Sequence, residues 1–398
     1  MKNLIYICFL FPLVASILNF HGFIFRYVHP YGGQFLAYFN LILIVLGSIL
    51  QLRKIGVLSK TAKLWFVYYL FYFCFGFLGM ALYANYTPIV RTLIPLIYFT
   101  GFYLFLSNDR HRALFLKTAA IAYLIASLLL ILFVILNFDL DKDGIWKWKL
   151  DRPGGVYGDA NNAALACILA FVFFNKFFIA NTLLKKCIKI AILITIFYSL
   201  FLTFSTTGML GFIMILFIIN FNYFSRERII LLFITVFILI ITVLNLKSLT
   251  SGLDLTPGQN LKIDTLVNIF SLNTDKINNS GRGSLLEHLF KYIYENPIIG
   301  NGIDFSVNIK GHNTLFGVWA DAGIFTFIIF LLVLITYFKR ALQSNIRVRY
   351  FCLSVIIALY IFMMSLQTII NQAYLIVLFP YIGYLIDEKE TLTSISTE

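Results

Sequence analysis

The sequence predicts an all-α, polytopic membrane protein of about twelve transmembrane helices. Three observations carry this. The 398-residue chain is 60% hydrophobic, 18% aromatic and only 12% charged, whereas soluble domains are about 25% charged and about 45–50% apolar. Apolar runs near twenty residues recur along it, the length that a bilayer core of about 30 Å asks of a helix. The basic residues behind its net charge of +13 gather in alternate short loops, as the positive-inside rule expects. Such a composition excludes a cytosolic enzyme, a secreted disulfide scaffold and a disordered tail, and it makes nucleic acid no expected partner. Cys8, Cys74, Cys167, Cys187 and Cys352 form no CxxC pair and no Cys/His cluster, so they read as small core hydrophobes.

The expected spans run 3–20, 35–52, 62–83, 88–106, 113–136, 157–175, 188–204, 208–224, 229–246, 313–338, 350–366 and 367–386. The first is not a cleaved signal peptide: one Lys precedes it, Pro12 interrupts it and no small-residue cleavage site follows. Spans seven and eight are joined only by Ser205-Thr206-Thr207. The last two are almost continuous. With the N-terminus inside, 19 of the 31 basic residues fall on the inner side, and the short outer loops carry only Arg26 and Arg91. Both termini are therefore expected in the cytoplasm. The chain reads as one integral membrane domain, 1–398, with long outer loops at 137–156 and 247–312 and a short polar tail at 387–398. Loops far beyond the usual connection length tend to be functional.

In the first loop, Asp139, Asp141, Asp143 and Gly144 match the opening of a calcium loop, but Leu150 stands where the closing Glu belongs. A solvated polar loop is the alternative. Trp146 and Trp148 suit interfacial anchors or sugar-stacking platforms. Arg152 precedes the turn Pro153-Gly154-Gly155 at the mouth of a span, a place for an anionic ligand or for a lipid phosphate.

In the second loop, Ser284 and Glu287 read as a capping box, with Leu285, Leu286, Leu289, Phe290 and Ile293 at helical spacing after it. Asn296-Pro297 stops this amphipathic helix of about twelve residues. Arg282, just before the cap, sits beside the positive end of the helix dipole; two positive features together favour a phosphate or pyrophosphate between them. His288 reads as a surface residue. Gly300 and Gly302 mark a turn, and Gly311-His312-Asn313 opens the tenth span. A His at a helix N-terminus is biased to its neutral form and suits general-base work. Asn313 is placed to cap that helix or to hold a sugar hydroxyl. Asp321 lies roughly 13 Å down the span at 1.5 Å per residue, facing the bundle interior, where it either orients an Arg or stays neutral and hydrogen-bonded.

The pattern GR, then ENPIIGNG, then HNTLFGVWADAGI, over about 281–325, resembles the signature region of the O-antigen ligase/O-antigen polymerase family of bacterial envelope enzymes. A weaker likeness covers 152–164, and the layout of twelve spans with a large late outer loop agrees. The resemblance implies a GT-C-like glycosyltransferase of the inner membrane. Its large periplasmic loop would contain short amphipathic helices. Such an enzyme takes a glycan from undecaprenyl pyrophosphate at the periplasmic face and transfers it to a sugar hydroxyl, with no metal and no cofactor. Arg282 would hold the pyrophosphate and His312 would act at the acceptor hydroxyl, with Arg152, Asn161, Asn313 and Asp321 as further substrate-binding residues. The expected partners are the lipid-linked oligosaccharide, membrane lipid, a chain-length regulator and a flippase.

Two departures from the family pattern bear on the branch. Ala160-Asn161 replaces a Pro-Asn pair at the sixth span, and the turn Ser205-Thr206-Thr207-Gly208 lacks the Arg that ligases carry there. The missing Arg favours a polymerase joining lipid-linked repeat units over a ligase serving lipid A core, unless Arg152 supplies that cation. A transporter or flippase is the competing class. It would show polar groups at the membrane midplane and repeats between halves, whereas the polar chemistry here clusters in outer loops.

Overall fold

A computed structural model describes residues 2–83, 88–140, 144–145, 150–221, 226–250, 255–271, 273 and 282–388. The described elements are helical apart from one hairpin. In order they are α1 (Lys2–Ile17), α2 (Phe20–Tyr27), α3 (Pro30–Gln51), α4 (Lys60–Tyr83), α5 (Ile89–Phe105), α6 (Asp109–Ile135), β1 (Phe138–Asp139), β2 (Gly144–Ile145), α7 (Ala160–Phe177), α8 (Leu183–Leu202), α9 (Thr206–Asn220), α10 (Arg226–Leu244), α11 (Leu246–Thr250), α12 (Pro257–Phe270), α13 (Arg282–Glu295), α14 (Phe305–Asn308), α15 (Thr314–Gln343), α16 (Ile346–Met363), α17 (Ala373–Ile376) and α18 (Leu378–Asp387).

Among the described residues, six helices are long and apolar enough to cross a membrane: those starting at Pro30, Lys60, Asp109, Ala160, Thr314 and Ile346. The pair α1–α2, bent by 62°, makes a seventh if it is one span, and Val90–Phe105, Thr206–Asn220 and Ala373–Asp387 are apolar but shorter. These include apolar faces turned outward, such as Ile42, Leu70 and Leu332, which is the expected surface for a helix in lipid. The buried centre is aromatic: Trp65 of α4 packs against Phe99, Phe330 and Phe379 from three other helices.

The two ends of the bundle differ. At one end, Lys176 Nζ donates to the Arg347 carbonyl at 2.7 Å, and Arg340 donates to Thr61 Oγ1 at 2.8 Å and to Asp387 at 3.5 Å. Asp387 also accepts from Ser59 Oγ and the Thr61 amide, both at 2.8 Å. Asp387 therefore closes the last helix by an ionic clamp and is not part of a free polar tail as expected; 389–398 lie outside the described residues. At the other end, Asn19 Nδ2 donates to the Val156 carbonyl at 2.7 Å, and Tyr27 donates to the Asp139 carbonyl at 3.2 Å. Gln259 Nε2, from the second long loop, donates to the Leu150 carbonyl in the first at 2.9 Å, so the described parts of the two long loops meet at this end, away from the Lys176, Arg340 and Arg347 contacts.

Several expectations are corrected. Residues 364–372 are not helical, so the expected span 367–386 reduces to α17 and α18. Gln367, Thr368, Asn371 and Gln372 bring polar side chains to that break, where they bond to side chains and to backbone instead of facing lipid. The expected continuous tenth span is broken behind Asp321, where Ala322 (φ −131°) and Gly323 (φ 75°) leave helical geometry. The loop 297–302 inserts its backbone into that gap: the amides of Asn301 and Gly302 donate to the carbonyls of Ala320 and Asp321 at 2.8 and 2.9 Å, and Ile324 donates to the Pro297 carbonyl at 3.0 Å. A break in a membrane helix persists only when its freed polar groups are met in this way. A side chain at Gly323 would collide with the Ile298 carbonyl, and one at Gly300 (φ 82°) with the Asp321 carbonyl. That is the physical content of the glycines in ENPIIGNG and ADAGI.

In the second long loop, α13 begins at Arg282, so Ser284 lies in its first turn and is not its cap. Leu289 and Ile293 bury against Ala320, with Leu286, Phe290 and Trp319 around them. The apolar face of α13 thus docks on the first half of α15. A second short helix of this loop, α12, starts at a capping box of Thr256 and Gln259 around Pro257. The pair β1–β2 departs from an all-α class only as a two-residue hairpin, with Asp139 opposite Gly144.

Candidate functional site

The loop-bearing end of the bundle holds a cavity of about 380 Å³, within the range of about 300–1,000 Å³ usual for small-molecule pockets. Helix starts and connectors form its walls, which is where backbone and polar side chains reach inward together. Arg91 enters from the first turn of α5, Asn162 from that of α7, Asp304 from the segment before α14, and Asn371 and Gln372 from the connector before α17. Ser16, Asn40 and Tyr98 line it as well, with Ser16 Oγ and Tyr98 Oη 3.1 Å apart.

A hydrogen-bonded chain organises one wall. Asn371 Nδ2 donates to Asp304 Oδ1 at 2.7 Å. The Asp304 amide donates to Tyr72 Oη at 3.2 Å, and that hydroxyl donates to Asp321 Oδ2 at 2.9 Å. Asp321 Oδ1 accepts from the Ser306 amide at 2.6 Å. Asp304 is 6% exposed and holds a left-handed backbone (φ 55°), a conformation costly for a residue with a side chain and frequent at functional sites. Burial raises its carboxyl above the usual range, and the Arg91 charge is the largest influence in the opposite direction. Lys310 (φ 55°) and His312 (φ 47°) repeat the left-handed geometry within the same short segment.

A second polar chain adjoins the first. Arg152 Nη2 donates to Asn161 Oδ1 at 3.1 Å, and Ser205 Oγ donates to the same oxygen at 2.9 Å. Asp159 caps α7 by accepting from the amides of Asn161 and Asn162, both at 2.9 Å. Gln372 Nε2 reaches Asn162 Oδ1 at 3.2 Å and so joins this wall to the connector. The turn Ser205-Thr206-Thr207 is thereby built around Ser205, which also caps α9 by accepting from the Gly208 amide.

The predicted residues are distributed as follows. Arg152 and Asn161 are bonded to each other. Asp321 sits behind the cavity wall, where it orients Tyr72 and fastens Ser306. Asn313 caps α15 by accepting from the Phe316 amide at 3.0 Å. His312 precedes that cap; its ring is exposed, its amide donates to Gln367 Oε1 at 3.3 Å, and it is not among the residues lining the cavity. Arg282 opens α13, and its side chain lies outside the described residues. So do the side chains of Asp141, Asp143, Trp146 and Trp148. Among the described residues, no three His, Cys, Asp or Glu side chains gather as a metal site. His288 is exposed, edge-on to Tyr292.

Arg91, Asp304 and Asn371 were not singled out from the sequence. Arg91 was visible as one of two basic residues in the short outer loops, and Asn371-Gln372 as a polar pair inside a run otherwise apolar. Nothing local marks Asp304, whose place depends on Tyr72 from a distant helix.

Residues 191–331 match the family model described as O-Antigen ligase. This is the family that the sequence resembles. No curated protein matches the chain. A chain of the solved structure "Structural coordination of polymerization and crosslinking by a peptidoglycan synthase complex" aligns at 15% identity with a TM-score of 0.43, covering 81% of this chain and 96% of that one.

Proposed function

We propose that this membrane protein, whose residues 191–331 match the O-antigen ligase family, is a polysaccharide polymerase of the bacterial inner membrane. It transfers a glycan from undecaprenyl pyrophosphate to the terminal sugar hydroxyl of another lipid-linked repeat unit. The family match supports the coarser part of this reading, a membrane enzyme of polysaccharide assembly. The grouping of basic short loops at the opposite end supports placing the cavity at the periplasmic face and both termini in the cytoplasm.

Polyprenyl pyrophosphate leaves readily if fixed cations meet its developing charge. Arg282 holds that charge at the mouth of α13, and Arg91 faces it from the cavity wall. His312 meets the acceptor sugar at the rim. Arg152 and Asn161 shape the adjoining wall, Asn313 caps the half-helix that follows His312, and Asp321 holds the cavity wall from behind. No metal or cofactor enters the scheme. A chain-length regulator and a flippase are its expected companions.

The polymerase branch rests on the turn 205–208, which carries no cation of its own; Arg152 stands beside it, donating to the same Asn161 oxygen that accepts from Ser205. A gel of envelope glycans from a deletion strain tests the assignment. Single repeat units on the final acceptor indicate a lost polymerase. Long chains stranded on the lipid carrier indicate a lost ligase. An unchanged profile refutes both.

A further inference from the structure

Buried polar atoms are nearly always hydrogen-bonded, because an unmade bond costs about 1–3 kcal/mol. Among the described residues, nine buried side-chain atoms have no hydrogen-bond partner, and four of them, Asn40 Oδ1, Tyr157 Oη, Gln372 Oε1 and Tyr374 Oη, belong to residues that line the one cavity. They come from α3, the segment before α7, the connector and α17, so no single local distortion explains them. A cavity of about 380 Å³ walled by residues that carry two spare acceptor oxygens and two spare hydroxyls fits a ligand that both donates and accepts hydrogen bonds on several sides. The rings of Tyr157 and Tyr374, centred 5.2 Å apart, add an apolar flank. A sugar ring has this mixed character. The same cavity presents the carboxylate of Asp304, pinned by Asn371 in a left-handed backbone, and the guanidinium of Arg91.

We infer that this cavity is the acceptor-sugar site of the proposed transferase and that Asp304 takes the proton from the acceptor hydroxyl. The inference rests on the proposed transfer and adds where the acceptor lies and which group activates it. The acceptor O–H bond breaks and its proton passes to the Asp304 carboxylate. The oxygen forms a bond to the anomeric carbon of the donor. The bond from that carbon to the pyrophosphate oxygen breaks, its electron pair leaving with the polyprenyl pyrophosphate, whose charge Arg91 faces. Asp304 returns its proton to water before the next cycle. His312, with its ring exposed, then contacts the acceptor without having to accept its proton. The pressure on Asp304 agrees with this role: burial raises its carboxyl, which makes it a stronger base than an exposed aspartate.

The test uses the full chain expressed in its deletion strain, with pulse-labelled sugar incorporated into polymer as the readout. Wild-type complementation must first restore the polysaccharide profile; if it changes nothing, the proposed function fails, and not the assignment of the cavity within it. Given that restoration, Tyr157→Phe and Tyr374→Phe are expected to slow extension several-fold. Their thermal unfolding in detergent should stay at the wild-type temperature, since neither hydroxyl has a protein partner to lose. Asp304→Asn is expected to slow extension at least about 100-fold while donor glycolipid accumulates. Asp304→Glu should recover part of that rate. Extension at the wild-type rate in both Tyr→Phe variants overturns the acceptor site, whether or not the Asp304 variants reach the membrane. Extension at the wild-type rate in Asp304→Asn overturns the role of the carboxylate.

Discussion

The Asn371 amide and the Asp304 carboxylate, 2.7 Å apart, tie the connector before the last helix to the segment that follows the loop plugging the broken span. Replacing Asn371 by Leu keeps the bulk but removes the donor. The Asp304 carboxylate then loses a bond that favours its charged form. Chain extension should fall at least several-fold, and Asn371→Asp, which sets a second carboxylate against the first, should lower it further. Rates of sugar incorporation in the complemented strain check this; equal rates in the two variants would show that charge at this position is immaterial.

The same carboxylate gives a pH prediction whose sign is determined. A proton acceptor works ionised, so extension declines as pH falls through the folded pKa of Asp304. Burial places that pKa above the ordinary range, itself about 3.9 for a free aspartate. Arg91, which lines the same cavity, lowers it; Tyr72 and Asn371 bond to the same residue, Asp321 accepts from Tyr72, and His21 lines the cavity too. Arg91→Ala should therefore move the acidic limb to higher pH, and Asp304→Asn should remove that limb from whatever rate remains. The measurement is a rate–pH profile in proteoliposomes supplied with lipid-linked donor.

Gly323→Ala tests the broken helix. The position needs φ 75° and close approach to the Ile298 carbonyl. Forcing a side chain there costs at least about 1 kcal/mol from backbone strain alone, and the collision adds to it. The expected result is a lower unfolding temperature in detergent. Loss of extension should accompany it, because Asp321, Tyr72 and the Asp304 amide are aligned through this break. A melting temperature equal to wild type would mean that the helix runs straight in the membrane.

Much of this arrangement was legible in the sequence, and the gaps have physical causes. Helix positions followed from apolar length, and the glycines of ENPIIGNG marked their turn because only backbone freedom explains such spacing. The amphipathic stripe of α13 was readable from Leu289 and Ile293, though the Ala320 surface it packs on was not. The connector 364–372 went unseen because Ile369 and Ile370 keep the local hydropathy high, although Gln367, Asn371 and Gln372 had no place on a lipid-facing helix. Asp304 could not be found from its neighbours, since Tyr72 and Asn371 reach it from 232 and 67 residues away.

Asn161 should prove structural to α7 and α9 before it proves chemical. Its Oδ1 accepts from both Arg152 and Ser205, and truncation takes a bond from each and leaves the buried Ser205 hydroxyl without its acceptor, a cost of about 1–3 kcal/mol. Asn161→Ala should unfold at lower temperature. Arg152→Ala on that background should cost less than on the wild type, because the shared bond is already gone. A double-mutant cycle by thermal unfolding measures that coupling, and additive effects would contradict the bond.

His312 and Arg282 supply the last prediction, which separates rim from cavity. Both lie on elements held by α15: His312 just before its Asn313 cap, and Arg282 at the start of the helix that packs on Ala320. If Arg282 meets the pyrophosphate charge, Arg282→Ala should abolish long chains, and Arg282→Lys should restore a fraction, since a point charge replaces a planar fork. If His312 only contacts the acceptor, His312→Ala should raise the acceptor concentration needed for half-maximal rate. His312→Gln, which keeps hydrogen-bonding capacity without a titratable ring, should recover most of the activity. If His312 is instead the proton acceptor, Gln will be as inactive as Ala, and the acidic limb of the rate–pH profile will vanish in both while it persists in Asp304→Asn. Chain-length gels, together with membrane abundance of each variant, decide between these outcomes.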